Sequence, residues 1–348
     1  MSSPPPPAYR LAINGYGRIG RSFVRAIHEA GLADVLRVAA INEPADLASI
    51  AHLTRFDSTH GRFPGQVAVA GERLILDGQA IAVTHATTPE GVDWRALDLD
   101  LVVECSGQYG KRAELQRFID AGCPRLLLSH PGASAGDVDA TIVYGVTRPD
   151  PGASIRLLSA ASCTTNAAVP VLALLQQECG LERVLLTTLH SAMNDQPLID
   201  GYHHADLART RSAMQSIIPV STGLARGVER LLPELQGRVE AKAIRVPIHN
   251  VSAIDMVLTL TRDIGAERIN ALLRDAACGA HRGLIGWTDA HHASIDFNHD
   301  PHSVIVDGRQ TRACGPRLIN LFLWFDNEWG FANRMVELAR HWLKQLAR

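Results

Sequence analysis

The chain has 348 residues, 46% of them hydrophobic and 20% charged, and this length predicts two domains. Its 34 basic and 36 acidic residues leave a net charge of −2, so no overall field favours nucleic acid or an anionic membrane as a partner. No apolar run approaches the ~18–20 residues that span a bilayer.

Composition also bears on the compartment and on metal binding. Residues 2–7 predict a short disordered leader without the features of a signal peptide. Six scattered cysteines with no CxxC pair favour reduced thiols in the cytoplasm. The histidine pairs at 203–204 and 291–292 have no cysteine or carboxylate partner at ligand spacing, so we expect no metal site.

Strands and helices alternate in the first half of the chain. The apolar runs predict strands at 10–14, 35–41, 101–105 and 125–128, with a helix over 19–30. Continuous apolar strands separated by helices predict a parallel sheet covered on both faces. Within this half, residues 73–83 predict a hairpin with an Asp-Gly turn.

The second half reads differently. A strand is predicted at 184–189, strands with alternating polarity at 253–260 and 318–325, and a final helix at 329–346. The predicted fold class is α/β, with a Rossmann-type dinucleotide-binding domain plus an α+β catalytic domain whose sheet is mainly antiparallel. The expected domains are 8–161, completed by a C-terminal helix at 328–348, and 162–327.

A glycine motif follows the first strand. Gly15, Gly17 and Gly20 form a G-x-G-x-x-G pattern that opens the first helix, and Glu43 follows the second strand. These glycines permit a tight turn and close approach to a pyrophosphate, and a carboxylate at that place binds a ribose diol and repels a 2′-phosphate. The motif therefore favours NAD over NADP; the alternative is a glycine-rich turn in an unrelated α/β domain.

One cysteine stands at the predicted start of a helix. Cys163 lies within the polar segment 161–166, and helix N–H groups there would stabilise a thiolate. His190 ends the strand at 184–189, and a thiol with a histidine base can attack a carbonyl covalently. The alternatives are a small buried cysteine and a surface histidine.

Arginines and a Thr-Gly pair follow the cysteine. Arg209, Arg211 and Arg245, with Thr222 and Gly223, suit a phosphate-bearing substrate. Taken singly, each arginine also fits the surface or a subunit contact.

Along almost its whole length the chain resembles the glyceraldehyde-3-phosphate dehydrogenase family. The segments that carry the resemblance are 14–21, 161–166, 215–219, 245–247 and 326–330. The resemblance implies Cys163 as nucleophile and His190 as base. It implies Arg18, Ile19, Ser129 and Asn327 at NAD, with Asn327 near the carboxamide. The substrate side would comprise Ser162, Thr164, Arg209, Thr222, Gly223 and Arg245.

Several segments resemble the branch of this family that oxidises erythrose 4-phosphate, namely 129–132, 190–193, 297–308 and 330–335. The glycolytic branch usually carries alanine at His130 and, at Met193, a threonine that binds the substrate phosphate; a thioether cannot donate to a phosphate oxygen. At Ala86-Thr87, members often have an arginine near the cofactor, and Ala167-Ala168 replaces a frequent cysteine-containing pair.

The resemblance thus implies NAD-dependent oxidation of erythrose 4-phosphate to 4-phosphoerythronate through a Cys163 thioester that water resolves. It further implies a homotetramer that serves pyridoxal phosphate synthesis. One alternative is the phosphorylating glyceraldehyde-3-phosphate dehydrogenase activity. Another is a catalytically silent thiol sensor or nucleic-acid-binding member, which the intact Cys163, His190 and glycine loop disfavour.

Overall fold

The glycine motif and Cys163 belong to different units of the computed structural model, which describes residues 9–146, 152, 154–203 and 206–346. The first unit takes its described residues from 9–144, 152, 154–161 and 332–346, and the second from 145–146, 162–203 and 206–331. The predicted leader and His204 lie outside the described residues.

The first unit is built on a mostly parallel sheet with strand order β10-β11-β9-β8-β1-β2-β7-β6-β5. Strands β5, β6 and β7 pair antiparallel at one edge, and β3 and β4 form a separate two-stranded ribbon. In chain order the elements are β1 (Tyr9–Asn14), α1 (Arg18–Glu29), β2 (Leu36–Asn42), α2 (Leu47–Arg55), β3 (Phe56–Asp57), β4 (Gly61–Arg62), β5 (Val67–Ala70), β6 (Arg73–Leu76), β7 (Gln79–Thr84), β8 (Leu101–Glu104), α3 (Arg112–Asp120), β9 (Leu126–Leu128), β10 (Ala140–Thr141) and β11 (Leu157–Ser159).

The local signals in this half of the sequence produced the expected elements. The hairpin of β6 and β7 turns at Asp77 and Gly78, whose φ angles of 46° and 82° are those of the predicted two-residue Asp-Gly turn. Leu101, Val102 and Val103 in β8 are fully buried, as expected for a strand covered on both faces. The Rossmann-type parallel sheet is therefore confirmed.

Parallel pairing brings three polar residues together at the carboxyl ends of the central strands. Asn14 of β1 is opposite Asn42 of β2 on one side and Glu104 of β8 on the other. Because parallel strands end at the same edge of a sheet, the loops that follow these residues converge there.

The second unit is built on a mixed sheet with strand order β13-β14-β12-β15-β19-β17-β16, and β18 pairs with β19. The pairs β12–β14 and β16–β17 are parallel and the others are antiparallel, so the predicted mainly antiparallel sheet is confirmed. Its elements are α4 (Cys163–Cys179), β12 (Leu181–His190), β13 (Ile218–Val220), α5 (Leu224–Leu231), β14 (Val239–Arg245), β15 (Ser252–Leu260), α6 (Ala266–Cys278), β16 (Ile285–Thr288), β17 (Val304–Asp307), β18 (Arg312–Cys314) and β19 (Leu318–Phe325).

The predicted final helix is α7 (Trp329–Leu346). Its first three residues belong to the second unit and the rest to the first. Met335, Leu338, Ala339 and Trp342 are buried, which accounts for their helical spacing in the sequence. Within the described residues, no helix is both long and apolar enough to cross a membrane.

Candidate active site

Cys163 is the first residue of α4, and the residue before it caps the helix. Ser162 has an extended backbone, and its hydroxyl oxygen accepts a hydrogen bond of 3.1 Å from the backbone N–H of Thr165. The same hydroxyl lies 3.1 Å from the Thr164 hydroxyl. Serine at the N-cap satisfies one N–H of the first turn, so the local sequence itself fixes where the helix begins and where the thiol stands.

The structure brings the predicted nucleophile and base together. His190 ends β12 and is only 6% exposed. Its Nε2 lies 3.8 Å from the Cys163 Sγ, within hydrogen-bonding distance for sulfur. On the other side of the ring, Nδ1 lies 2.9 Å from the carbonyl oxygen of Ser191. One nitrogen thus faces the thiol while the other is held by the backbone, an arrangement that suits proton exchange at Nε2.

Arg245 contacts the same imidazole, which the sequence did not reveal. It ends β14 directly opposite His190 in the parallel pair, and its Nη1 lies 2.6 Å from Nδ1. A guanidinium can only donate, so Nδ1 must accept when it is bonded to Arg245 and must donate when it is bonded to the Ser191 carbonyl. These two partners of Nδ1 select opposite ring tautomers, and the choice decides whether Nε2 carries a proton toward the sulfur.

Burial keeps Cys163 and His190 uncharged, whereas the sequence led us to expect a thiolate at Cys163. Burial raises the pKa of Cys163 to about 11, against the lowering effects of the Thr164 backbone N–H and the charge of Arg245. Burial, followed by the Arg245 charge, lowers the pKa of His190 to about 4. We expected the helix end and His190 to favour a thiolate, but withdrawal from water outweighs those contributions. Thiol and imidazole are therefore both neutral near pH 7.

The other predicted substrate-side residues divide into two groups. Thr222 and Gly223 precede α5, which has Gly223 at its N-cap and no side-chain cap. The Thr222 hydroxyl accepts from the N–H of Leu224 at 3.2 Å. Arg209, in contrast, is ion-paired with Asp195 at 2.8 Å and Asp206 at 3.5 Å. The expected role of Arg209 toward a substrate therefore competes with two carboxylates that the sequence pattern did not indicate.

In the first unit, Gly15 and Gly17 of the glycine motif line one cleft together with Glu43. Gly15 has a φ of 85°, and a Cβ there would lie 2.4 Å from the backbone nitrogen of Ser106, so only glycine fits. A Cβ at Gly20 would lie 2.3 Å from the Gly15 carbonyl oxygen, whereas one at Gly17 would meet nothing within 4 Å. Glu43 Oε2 accepts from the Tyr16 backbone N–H at 2.7 Å, which holds the carboxylate beside the glycine loop.

Two small residues of the loop after β7 also line the cleft. Ala86 and Thr87 lie there together with Gly15, Gly17 and Glu43. An uncapped helix start, glycines that close approach requires, and an adjacent carboxylate are what a dinucleotide needs, so the residues present fit NAD.

The remaining predicted cofactor residues have defined partners. Arg18 and Ile19 lie in the first turn of α1, and Arg18 Nη1 is 2.5 Å from Asp57 Oδ2, so the guanidinium already has an anionic partner. Ser129 follows β9, and its N–H donates to the Glu104 carbonyl oxygen at 3.0 Å. In the second unit, Asn327 Oδ1 accepts from the hydroxyls of Ser191 at 3.0 Å and Ser252 at 2.7 Å.

Sequence reasoning missed a hydrogen-bonded set of Asn14, Asn42 and Glu104, which lies beside the cleft. One signal pointed to it, because Glu104 is an acidic residue at the end of an otherwise apolar strand. In the described part of the chain, no group of three or more His, Cys, Asp or Glu side chains is arranged to hold a metal ion.

Comparison with protein families agrees with the fold. Residues 9–112 match the model described as glyceraldehyde 3-phosphate dehydrogenase, NAD binding domain. Residues 162–327 match the model described as glyceraldehyde 3-phosphate dehydrogenase, C-terminal domain. Together the two matches span most of the chain, which belongs to the glyceraldehyde-3-phosphate dehydrogenase family. The members of this family are NAD-dependent oxidoreductases that act on aldehydes, and the cofactor is therefore NAD.

Proposed function

We propose that this protein is an erythrose-4-phosphate dehydrogenase, which oxidises D-erythrose 4-phosphate to 4-phosphoerythronate with NAD. The observation that carries the proposal is Met193, in the segment that follows His190. Its side chain is 44% exposed, and its backbone N–H is bonded to the Gln196 side chain at 3.1 Å. A thioether has no proton to donate to a phosphate, so position 193 lacks the hydroxyl that the glycolytic branch offers its three-carbon substrate.

The phosphate of the proposed substrate would be bound by Arg245 with the N-terminal end of α5 at Thr222 and Gly223. A guanidinium and helix N–H groups are both suited to a phosphate. Since Arg209 is paired with Asp195 and Asp206, Arg245 is the better placed of the two arginines. A four-carbon chain spans a longer distance between its phosphate and its aldehyde than a three-carbon chain does.

Substrate binding would also prepare the base. An anionic phosphate competes with His190 Nδ1 for the Arg245 guanidinium, which lies 2.6 Å from that nitrogen. Once Arg245 turns to the phosphate, Nδ1 carries the ring proton and donates it to the Ser191 carbonyl, 2.9 Å away. Nε2 is then unprotonated and faces the sulfur, ready to accept a proton.

The reaction follows from these positions. The Cys163 sulfur loses its proton to Nε2 and bonds to the aldehyde carbon, while the carbonyl electron pair moves to oxygen, which takes that proton to give a hemithioacetal. Bound NAD supplies the acceptor for the hydride that leaves the same carbon. His190 Nε2 removes the hydroxyl proton as the thioester forms. Nε2 passes this proton to solvent. Water then attacks the thioester carbon and the carbon–sulfur bond breaks, so that the water hydroxyl becomes part of the acid and the other water proton returns to sulfur through Nε2. The acid leaves and the Cys163 thiol is regenerated.

Two further proposals accompany this function. The segment between β12 and β13 exposes several large apolar side chains, namely Leu198 (71% exposed), Ile199 (77%), Tyr202 (103%), Leu207 (84%) and Ile217 (70%). Exposed apolar surface of this kind indicates contact with other copies of the chain. We propose a homotetramer in which these side chains are buried. Sedimentation velocity should give about four times the chain mass of 37.7 kDa, and a monomer would contradict this. We also propose a cytoplasmic role in pyridoxal phosphate synthesis.

The test is NADH formation with erythrose 4-phosphate and with glyceraldehyde 3-phosphate, each with and without inorganic phosphate. We expect kcat/KM to favour erythrose 4-phosphate without a need for added phosphate, because remote phosphate contacts orient the aldehyde. A tenfold preference for glyceraldehyde 3-phosphate that appears only with phosphate would establish the phosphorylating alternative instead.

A matched pair of variants tests the role of Met193. Met193→Thr should raise kcat/KM for glyceraldehyde 3-phosphate relative to erythrose 4-phosphate, since it restores a hydroxyl donor. Ile295 is 65% exposed in the same unit, and Ile295→Thr should leave the ratio unchanged. If the ratio of the two kcat/KM values is unchanged in both variants, Met193 does not determine the substrate preference.

A further inference from the structure

Three polar side chains are buried in a row under the cleft of the first unit. Asn14 and Asn42 are each 5% exposed and Glu104 is fully buried. They end the adjacent parallel strands β1, β2 and β8, so strand register alone places them side by side. Buried polar groups are costly unless every donor meets an acceptor, which makes the direction of each hydrogen bond in this row informative.

The row begins at the backbone of Ala86, which fixes the orientation of the Asn42 amide. Asn42 Oδ1 accepts from the Ala86 N–H at 3.0 Å, and Asn42 Nδ2 donates to the Ala86 carbonyl at 3.0 Å. The Thr84 hydroxyl also donates to Oδ1 at 2.8 Å. Because a backbone N–H can only donate and a carbonyl can only accept, the Asn42 amide has one permitted orientation.

That orientation passes to the next two residues. Asn42 Nδ2 donates to Asn14 Oδ1 at 2.8 Å, so Asn14 must present its own Nδ2 to the following residue. Glu104 Oε2 accepts from that Nδ2 at 2.5 Å, and Oε1 accepts from the Ser106 backbone N–H at 2.7 Å. Burial raises the pKa of Glu104, yet Oε2 remains an acceptor whether the carboxyl is ionised or carries a proton on Oε1.

The two ends of the row are walls of the cleft, since Ala86 and Ser106 both line it with Gly15 and Glu43. We propose that Glu104 is a positioning residue for NAD. Through Asn14 and Asn42 it holds the three segments that follow β1, β2 and β7, which contain Gly15, Glu43 and Ala86, in the arrangement that binds the dinucleotide. The inference rests on the placement of NAD in this cleft and is independent of which aldose phosphate is oxidised.

Hydrogen-bond direction provides the test. In Glu104→Gln the side chain keeps its shape, but its single carbonyl oxygen can accept from Asn14 on one side or from the Ser106 N–H and hydroxyl on the other, not from both. In either orientation its buried NH₂ group faces an N–H donor. In Asn14→Asp a carboxylate faces the Glu104 carboxyl. The double variant Glu104→Gln/Asn14→Asp restores every donor–acceptor pair, because the aspartate accepts from both Asn42 and the new glutamine. It also keeps the total charge of the pair.

The experiment measures the NAD dissociation constant by titration calorimetry, together with kcat and the aldehyde KM at saturating NAD. We expect Glu104→Gln to raise the Kd on the order of tenfold, the effect of one unsatisfied buried donor. The double variant should return to within about twofold of the wild-type Kd, while kcat and the aldehyde KM at saturating NAD stay the same in both. A wild-type Kd for Glu104→Gln, or a double variant no tighter than the weaker single variant, would overturn the proposal.

Two controls distinguish a failure of this proposal from a non-specific effect of the substitution and from a failure of the proposed NAD site. Asn320 donates to Asp255 at 2.5 Å in the second unit, and Asp255→Asn removes that amide–carboxylate pair without an expected change in Kd. If Glu43→Ala weakens NAD binding while Glu104→Gln does not, the network proposal fails and the cofactor placement stands; if neither weakens it, both fail. Should the single variants not fold, a folded double variant with wild-type Kd supports the network, and an unfolded one overturns it.

Discussion

Removal of the Arg245 charge should raise the pKa of His190. In the structure that pKa falls from the usual 6.5 to about 4, with burial as the larger cause and Arg245 as the second. A change of this size corresponds to about 3.4 kcal/mol. Burial is the larger of the two lowering effects, so Arg245 accounts for only part of this free energy. Arg245→Gln should therefore raise the pKa of His190 above 4 but leave it below 6.5, because ring protonation no longer meets an adjacent positive charge while the burial remains.

The measurement is a pH titration of the ring nitrogens of His190 by ¹⁵N NMR. It is best made in a Cys163→Ser background, so that no thiol titrates with the imidazole. The chain has 15 histidines, and His190→Asn identifies the signal. Arg245→Lys keeps the positive charge and should retain most of the lowering of the pKa. The Nδ1–H tautomer, bonded to the Ser191 carbonyl, should also gain population in Arg245→Gln.

Two results would refute this reasoning. An unchanged or lower pKa in Arg245→Gln would mean that the guanidinium does not act on the ring, despite the 2.6 Å contact. A rise to the full 6.5 would mean that Arg245, and not burial, accounts for the whole effect.

The remaining predictions concern the thiol, the base and the cofactor. Cys163→Ser should lose nearly all turnover and still bind NAD, as steady-state kinetics and NAD titration would measure; wild-type turnover of the serine variant would exclude a thioester. His190→Asn should lower kcat by a factor on the order of 10²–10⁴ with little change in NAD affinity, and steady-state kinetics with NAD titration would expose a wrong assignment if only binding were lost. Glu43→Ala should narrow the preference for NAD over NADP, as measured by the ratio of kcat/KM values, if the Glu43 carboxylate binds the ribose diol as we propose; equal use of both cofactors by the wild type would contradict that role.

Features with a local cause could be predicted from the sequence. The Asp77-Gly78 turn, the helix that begins at Cys163 after the Ser162 cap, and the burial of α7 all follow from a few neighbouring residues. Each depends on a backbone preference, a side-chain cap or a hydrophobic period that is legible within one segment.

Features that depend on strand register or on ion pairing could not be predicted in this way. The contact of His190 with Arg245 requires that β12 and β14 be neighbours, and the two residues are 55 positions apart. The ion pair of Arg18 with Asp57 could not be predicted either, since nothing in the glycine motif indicates that a carboxylate 39 residues away will contact Arg18. The pKa of Cys163 was misjudged because helix position is visible in a sequence, whereas the degree of burial is not.

The register between β12 and β14 has a consequence for how this protein can diverge. His190 and Arg245 end their strands as direct partners, and strand pairing, not the intervening chain, holds them together. Insertions and deletions between the two strands would therefore alter the segment that carries Met193 without separating the base from its arginine. A single residue added inside either strand would instead turn one of the two side chains to the opposite face of the sheet. Substrate preference can thus change when the segment between the strands changes. Proton transfer by His190 is preserved only if β12 and β14 keep their lengths.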